Sequence, residues 1–116
     1  MRLKSAIWVA AYIRRCENEG AFAAIRRRGH EEAGSIFIKI NRLDGSAELF
    51  GPAPQSVFDD ARPAGRAFIR TFGETPVEEP KVEERLAQEI TFDPDIWIIE
   101  VEDRQGRNFL DWIAKS

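Results

Sequence analysis

One cysteine and one histidine are all that the 116 residues offer to thiol or imidazole chemistry. A lone Cys16 excludes an internal disulfide and fits a reducing compartment, so a cytoplasmic protein is expected. A lone His30 excludes any metal site built from several histidines. A Walker loop, a dinucleotide glycine fingerprint, a nucleophile elbow and paired cysteines are all missing. The residues imply no metal and no cofactor. No apolar run approaches the roughly 20 residues of a membrane span. Ala6 to Ile13 follows Arg2 and Lys4 as a signal peptide would. Arg14 and Arg15 then stand where small cleavage-site residues belong, so no signal is read. A formal net charge of −3 gives no bulk electrostatic case for nucleic acid or anionic lipid.

What is present suits one folded domain spanning residues 1–116. Hydrophobic residues are 43% and charged residues 32%, a balance that builds a core rather than a disordered chain. A chain of this length buries roughly 65% of its unfolded surface. Charge is unevenly placed. Residues 1–70 carry twelve Lys and Arg against eight Asp and Glu, a formal +4. Residues 71–116 carry five against twelve, a formal −7. Either the two halves neutralise each other in the fold, or the asymmetry marks an interaction surface.

Ser5 to Glu19 reads as a helix, with Ser5 as N-cap, Ile7, Ala10, Ala11 and Arg14 as one stripe, Trp8, Ala11, Tyr12 and Arg15 beside it, and Gly20 as the stop; a strand is the competing reading of Ala6–Ile13. Strands follow at Ala21–Arg28, Gly34–Arg42 and Ser46–Gly51, with a loop at Gly29–Glu32 and a turn at Asp44-Gly45. Gly51-Pro52-Ala53-Pro54 ends the sheet. Gln55 to Arg62 reads as a short helix and Ala67–Phe72 as a fourth strand. A helix from Pro80 to about Ile90 carries the stripe Val82, Leu86, Ile90. Ile96–Asp103 is the clearest strand, with Trp97, Ile99 and Val101 on one side and Ile98, Glu100 and Glu102 on the other. A turn at Gln105-Gly106 would place Val101 opposite Leu110 and Ile99 opposite Trp112. Residues 109–116 also read as a helix start from Asn108. The fold class is α+β, a mainly antiparallel sheet of about five strands with two main helices.

The three-strand stretch Ala21–Gly51 can be given a register. A two-residue turn at Asp44-Gly45 sets Ile40 opposite Leu49 and Lys39 opposite Phe50. A four-residue loop at Gly29–Glu32 sets Ile25 opposite Ile36. One face then holds Ala23, Ile25, Ile36, Ile38, Ile40 and Leu49. The other holds Phe22, Ala24, Phe37 and Phe50, with Lys39 among them. Both faces are apolar, so both need cover. The second is covered by another element or by a partner chain, which makes Phe22, Phe37 and Phe50 candidate interface residues.

The visible polar cluster is basic: Arg14, Arg15, Arg27 and Arg42 with His30. Guanidinium groups grip carboxylates and phosphates with paired hydrogen bonds, so these residues are a candidate anion site. A solvated hairpin end paired with Glu31, Glu32 and the acidic half explains them as well. His30-Glu31-Glu32 lacks the second histidine of a zinc-protease helix, since position 34 is glycine. Glu100 and Glu102 share a strand face and could offer oxygen ligands to a divalent cation, or simply be solvated. Cys16 reads as a small packed hydrophobe. Trp8, Trp97 and Trp112 read as core or rim, with an interface as the alternative.

Three blocks carry a resemblance. RLKSAIWVAAYIRRCENEGAFA, GSIFIKINRLDGSAELFGPAPQS and FDPDIWIIEVEDRQGRNFLDW are similar to the alphaproteobacterial domain of unknown function 1491 family. The resemblance covers nearly the whole chain and implies a stand-alone bacterial protein of this length. It implies no activity and no site residues. The expected function is a non-catalytic binding or self-association module, as a homodimer or with another protein. The alternatives are an anion-binding protein or enzyme using the arginines, and a weak nucleic-acid binder.

Overall fold

The computed structural model describes residues 3–54 and 66–115. The short helix expected at Gln55–Arg62 lies outside the described residues. Helix α1 is Ser5–Asn18 and α2 is Glu79–Phe92. The strands are β1 Phe22–Arg27, β2 Ile36–Asn41, β3 Ser46–Pro52, β4 Phe68–Arg70, β5 Val77–Glu78, β6 Trp97–Glu102 and β7 Ile113–Ala114. They form one seven-stranded sheet of order β1-β6-β2-β3-β4-β7, with β5 paired to β3. The α+β class holds. The sheet is mixed, because β6 runs parallel to β2 and β7 parallel to β4.

The expected β1–β2 hairpin does not form, because β6 lies between the two strands. Physical reasons favour that exchange. Trp97, Ile98 and Ile99 of β6 are buried on both faces, which only a central strand allows. Strand β1 ends in Arg26 and Arg27, with Arg28 directly after it, charges suited to a sheet edge. The 29–35 segment folds across the start of β6. His30 donates its backbone N–H to the Asp95 carbonyl at 2.9 Å, and Trp97 donates its indole N–H to the His30 carbonyl at 2.8 Å. A Cβ on Gly29 or Gly34 would lie 2.2 or 2.5 Å from the Asp95 oxygen, so only glycine permits this crossing.

The β2–β3 hairpin forms one residue out of the expected register. Ile38 faces Phe50, Lys39 faces Leu49 and Ile40 faces Glu48. The loop has three residues, Leu43 to Gly45, with Leu43 at φ 63° and Gly45 at φ 90°. Two side chains stabilise the longer loop. Asn41 Oδ1 accepts from the Leu43 N–H, and Asp44 Oδ1 accepts from the Ser46 N–H. A one-residue slip turns every side chain of a strand over. Phe50 therefore joins Ile36, Ile38 and Ile40 on one face, and Leu49 and Ala47 join Phe37 on the other.

Each helix covers one face. On α1 the buried stripe is Ser5, Val9, Tyr12 and Cys16. The expected stripe of Ile7, Ala10, Ala11 and Arg14 points to solvent. Polar anchors set this rotation: Ser5 Oγ donates to the Gly34 carbonyl at 2.7 Å, and Tyr12 Oη donates to the Asn108 carbonyl at 2.6 Å. Ser5 is the first residue inside the helix rather than its cap. Its N–H and that of Ala6 donate to the Glu32 and Glu31 carbonyls. Gly20 ends the segment at φ 85°, as expected. On α2, Val82 and Leu86 are buried and Ile90 half-buried, along the stripe read from the sequence.

The expected second hairpin at Gln105-Gly106 is absent, because β1 and β2 already flank β6. The chain turns instead at buried Asp103, whose carboxylate accepts from the Arg107 N–H and guanidinium. It then runs along α1 to place β7 beside β4, so Trp112 does not face Ile99. Residues 109–112 form neither strand nor helix. Among the described residues no helix is long and apolar enough to cross a membrane.

Candidate functional site

The α2 face of the sheet holds an ion cluster. Lys39, at the middle of β2, is 2% exposed. Its ammonium donates to Glu79 at 2.6 Å and to Glu83, and lies 3.6 Å from Glu100. Arg26 grips Glu83 with two bonds, at 2.7 and 2.8 Å, and reaches Glu100 at 3.0 Å. Asn41 bridges Glu79 and Glu100. Glu79 and Glu83 are one turn apart on α2, so both reach the same buried ammonium. The cluster joins two cations to three carboxylates and pins the helix to the sheet.

The electrostatics follow from this geometry. Burial works against the charge on Lys39, yet hydrogen bonds to Glu79 and Glu83 hold its affinity for a proton above the ordinary lysine value. The Arg26 fork holds the Glu83 carboxyl down to about 2, against the opposing effect of burial and with help from Lys39. From the sequence, Lys39 stands on an apolar face without an assigned role. The signal was there: one lysine in IFIKIN, and two glutamates four apart on the helix that must cover it. Glu100, read as a candidate cation ligand, is instead engaged by Asn41, Arg26 and Lys39.

The arginine set is divided. Arg27 pairs with Ile98 near the start of β6, where its guanidinium donates to the Pro94 carbonyl. His30 lies at that end too, its Nδ1 accepting from the Glu32 and Ala33 N–H groups. Arg42 follows Asn41, which pairs with Glu102 at the opposite end of β6. It lies 4.0 Å from Glu48 and against Gly106. Arg15 reaches the Phe109 carbonyl and Asp111, and Arg14 is exposed on α1. These five residues do not surround one cleft.

The aromatic set is divided too. Phe37 and Phe50 are 7% and 0% exposed, the first beneath α2 and the second on the α1 face. The cover that the second face requires comes from this chain's own helix. Phe22 is 61% exposed, on β1.

That strand is a sheet edge with an open side among the described residues. The directions of its amides follow from the parallel pair beyond it. Trp97 donates to the Ser35 carbonyl and Asp103 to that of Asn41, so odd-numbered residues of β6 turn their amides toward β2. Even-numbered ones turn toward β1. Glu102 and Glu100 pair with Phe22 and Ala24, whose amides therefore point inward. The N–H and C=O groups of Ala23 and Ile25 point outward along the free edge. Phe22 and Ile25 (36% exposed) flank that edge on opposite faces. A bulge between Ile25 and Arg27 ends the regular ladder.

Known proteins place the chain in a family. It is similar to a DUF1491 family protein from Caulobacter crescentus CB15 solved as a crystal structure, and to a DUF1491 family protein from the same organism solved by NMR. For the crystal structure, identity is 36% over 97% of this chain and 99% of that one, with a TM-score of 0.78. For the NMR structure, identity is 37% over 98% of each chain, with a TM-score of 0.79. A solution structure of a protein from A. tumefaciens is 39% identical over 97% of this chain and 95% of that one, with a TM-score of 0.79. No curated protein matches. The family described as "Protein of unknown function (DUF1491)" matches residues 3–111, and this chain belongs to it.

Proposed function

We propose that this protein is a non-catalytic, cytoplasmic interaction module that acts as a single domain and takes an extended partner strand onto the free edge of β1. The observation that carries the reading is that edge: outward amides at Ala23 and Ile25, with exposed Phe22 and Ile25 beside them. Strand addition draws affinity from main-chain hydrogen bonds and selectivity from alternate side chains. Buried Cys16 suits a reducing compartment.

The test is retrieval of partners from the bacterial host by the wild-type protein and by Phe22→Lys, read by mass spectrometry. Lysine at 22 faces Glu102 across the ladder, so the fold tolerates it. Partners held by the wild type and lost by the variant support the reading. An identical set on both proteins sinks it.

A further inference from the structure

We infer that the strand received by β1 is the β1 of a second copy, paired antiparallel about a two-fold axis through Ala24; this rests on the strand-addition reading above.

The register follows from which groups are free. Side chains directly opposite in an antiparallel pair share a face, so the residue numbers of paired positions must sum to an even number. Centring on Ala24 matches Ala23 with Ile25 of the second copy, and Ile25 with its Ala23. Both residues carry the outward amides, so four main-chain hydrogen bonds form. Shifting toward the N-terminus would enlist Ala21, whose N–H is already spent on the Cys16 carbonyl. Shifting toward the C-terminus runs into the bulge after Ile25.

Charge supports the same arrangement. Each Phe22 comes beside Arg26 of the other copy, on the face where Arg26 reaches Glu83. Arg28 makes no ion pair among the described residues; its guanidinium lies over Trp97. Past the bulge, it lies toward the Gly20 end of the second copy's strand. Glu17 and Glu102 border that end of the strand and likewise make no salt bridge among the described residues. A two-fold axis repeats the match at both ends. A parallel arrangement would set like charges together. One added strand pair buries less than the about 1,200 Å² of a standard stable interface, so the dimer is of the transient class.

Sedimentation equilibrium from micromolar to millimolar protein, with cross-linking at Ala24→Cys, tests this. Opposite Ala24 residues form a pair without mutual hydrogen bonds, with Cα atoms about 4.5 Å apart, within disulfide reach. The expected results are a monomer–dimer equilibrium, a dimer dissociation constant raised about tenfold or more by Phe22→Lys, and rapid disulfide dimers of Ala24→Cys. Phe22→Cys, off the axis, should cross-link far more slowly, while Cys16 stays buried. A wild type that stays monomeric at millimolar concentration overturns the inference, as do equal cross-linking rates at 22 and 24. If the monomer still retrieves host proteins that Phe22→Lys loses, strand addition survives and the second copy falls. If nothing is retrieved either, both fall.

Discussion

The two faces of the sheet are closed by different physics. Beneath α1 the contact is almost wholly apolar: Val9, Tyr12 and Cys16 meet Ile36, Ile38, Ile40, Phe50, Trp97, Ile99 and Val101. Beneath α2 only part of the face is apolar, with Phe37, Leu49 and Ile98 against Val82 and Leu86. The rest is the ion cluster on Lys39. Apolar burial scales with area and is indifferent to pH. A buried ion pair gains little over a hydrophobic pair of equal size, yet losing one partner strands the other charge. The α1 side should therefore respond to cavity volume, and the α2 side to protonation and charge.

The largest effect is expected on the α1 side. Trp97→Ala empties a site that is 1% exposed and removes the bond to the His30 carbonyl. A loss of about 3–5 kcal/mol is expected in urea unfolding. A loss under about 1 kcal/mol would mean that this face does not carry the fold as argued. On the α2 side, Lys39→Met leaves Glu79, Glu83 and Glu100 with Arg26 as their remaining cation. The expected loss is about 3 kcal/mol. If that variant is as stable as wild type, the cluster is a replaceable filler and the contrast between faces collapses.

Acid sharpens the same contrast. Glu83 titrates at about 2 in the fold against an ordinary 4.5. Its stabilisation is whole above pH 4.5 and drains away as pH falls toward 2, because the unfolded chain takes the proton first. Thermal unfolding across that window should show a falling midpoint for wild type, and a weaker dependence for Glu83→Gln. Parallel curves for the two proteins would remove Glu83 from the account.

Much of the architecture was legible because period and punctuation are local. Both helices, the long strands and the split of β6 into Trp97, Ile99, Val101 against Ile98, Glu100, Glu102 follow from side-chain alternation and from Gly20 and Pro80. What failed was long-range. No local rule tells β1 that its neighbour is β6, some seventy residues on, when the nearer β2 has an equally suitable pattern. The hairpin slip turned on Asn41 and Asp44, whose side chains cap a three-residue loop where Asp-Gly suggested two. That one residue moved Phe50 out of a supposed interface and into the core. The Lys39 cluster was half legible. A lysine inside an apolar strand needs a partner, but naming Glu79 and Glu83 required knowing that α2 lies over β2.

The smallest expected effect on stability is at Phe22, and it isolates the edge from both faces. Phe22 is mostly exposed, so Phe22→Lys removes little buried area from the monomer. The new ammonium stands across from Glu102, a pairing that offsets what is lost, and the change in unfolding free energy should stay within about 0.5 kcal/mol. In the antiparallel pairing centred on Ala24, lysine at 22 gives up the aromatic contact with Arg26 of the second copy. Stability unchanged while association weakens would separate the edge from the core. Stability and association falling together would mean that Phe22 serves the fold. Residues at the core of either face cannot give this separation, because each of their substitutions disturbs packing and partner at once.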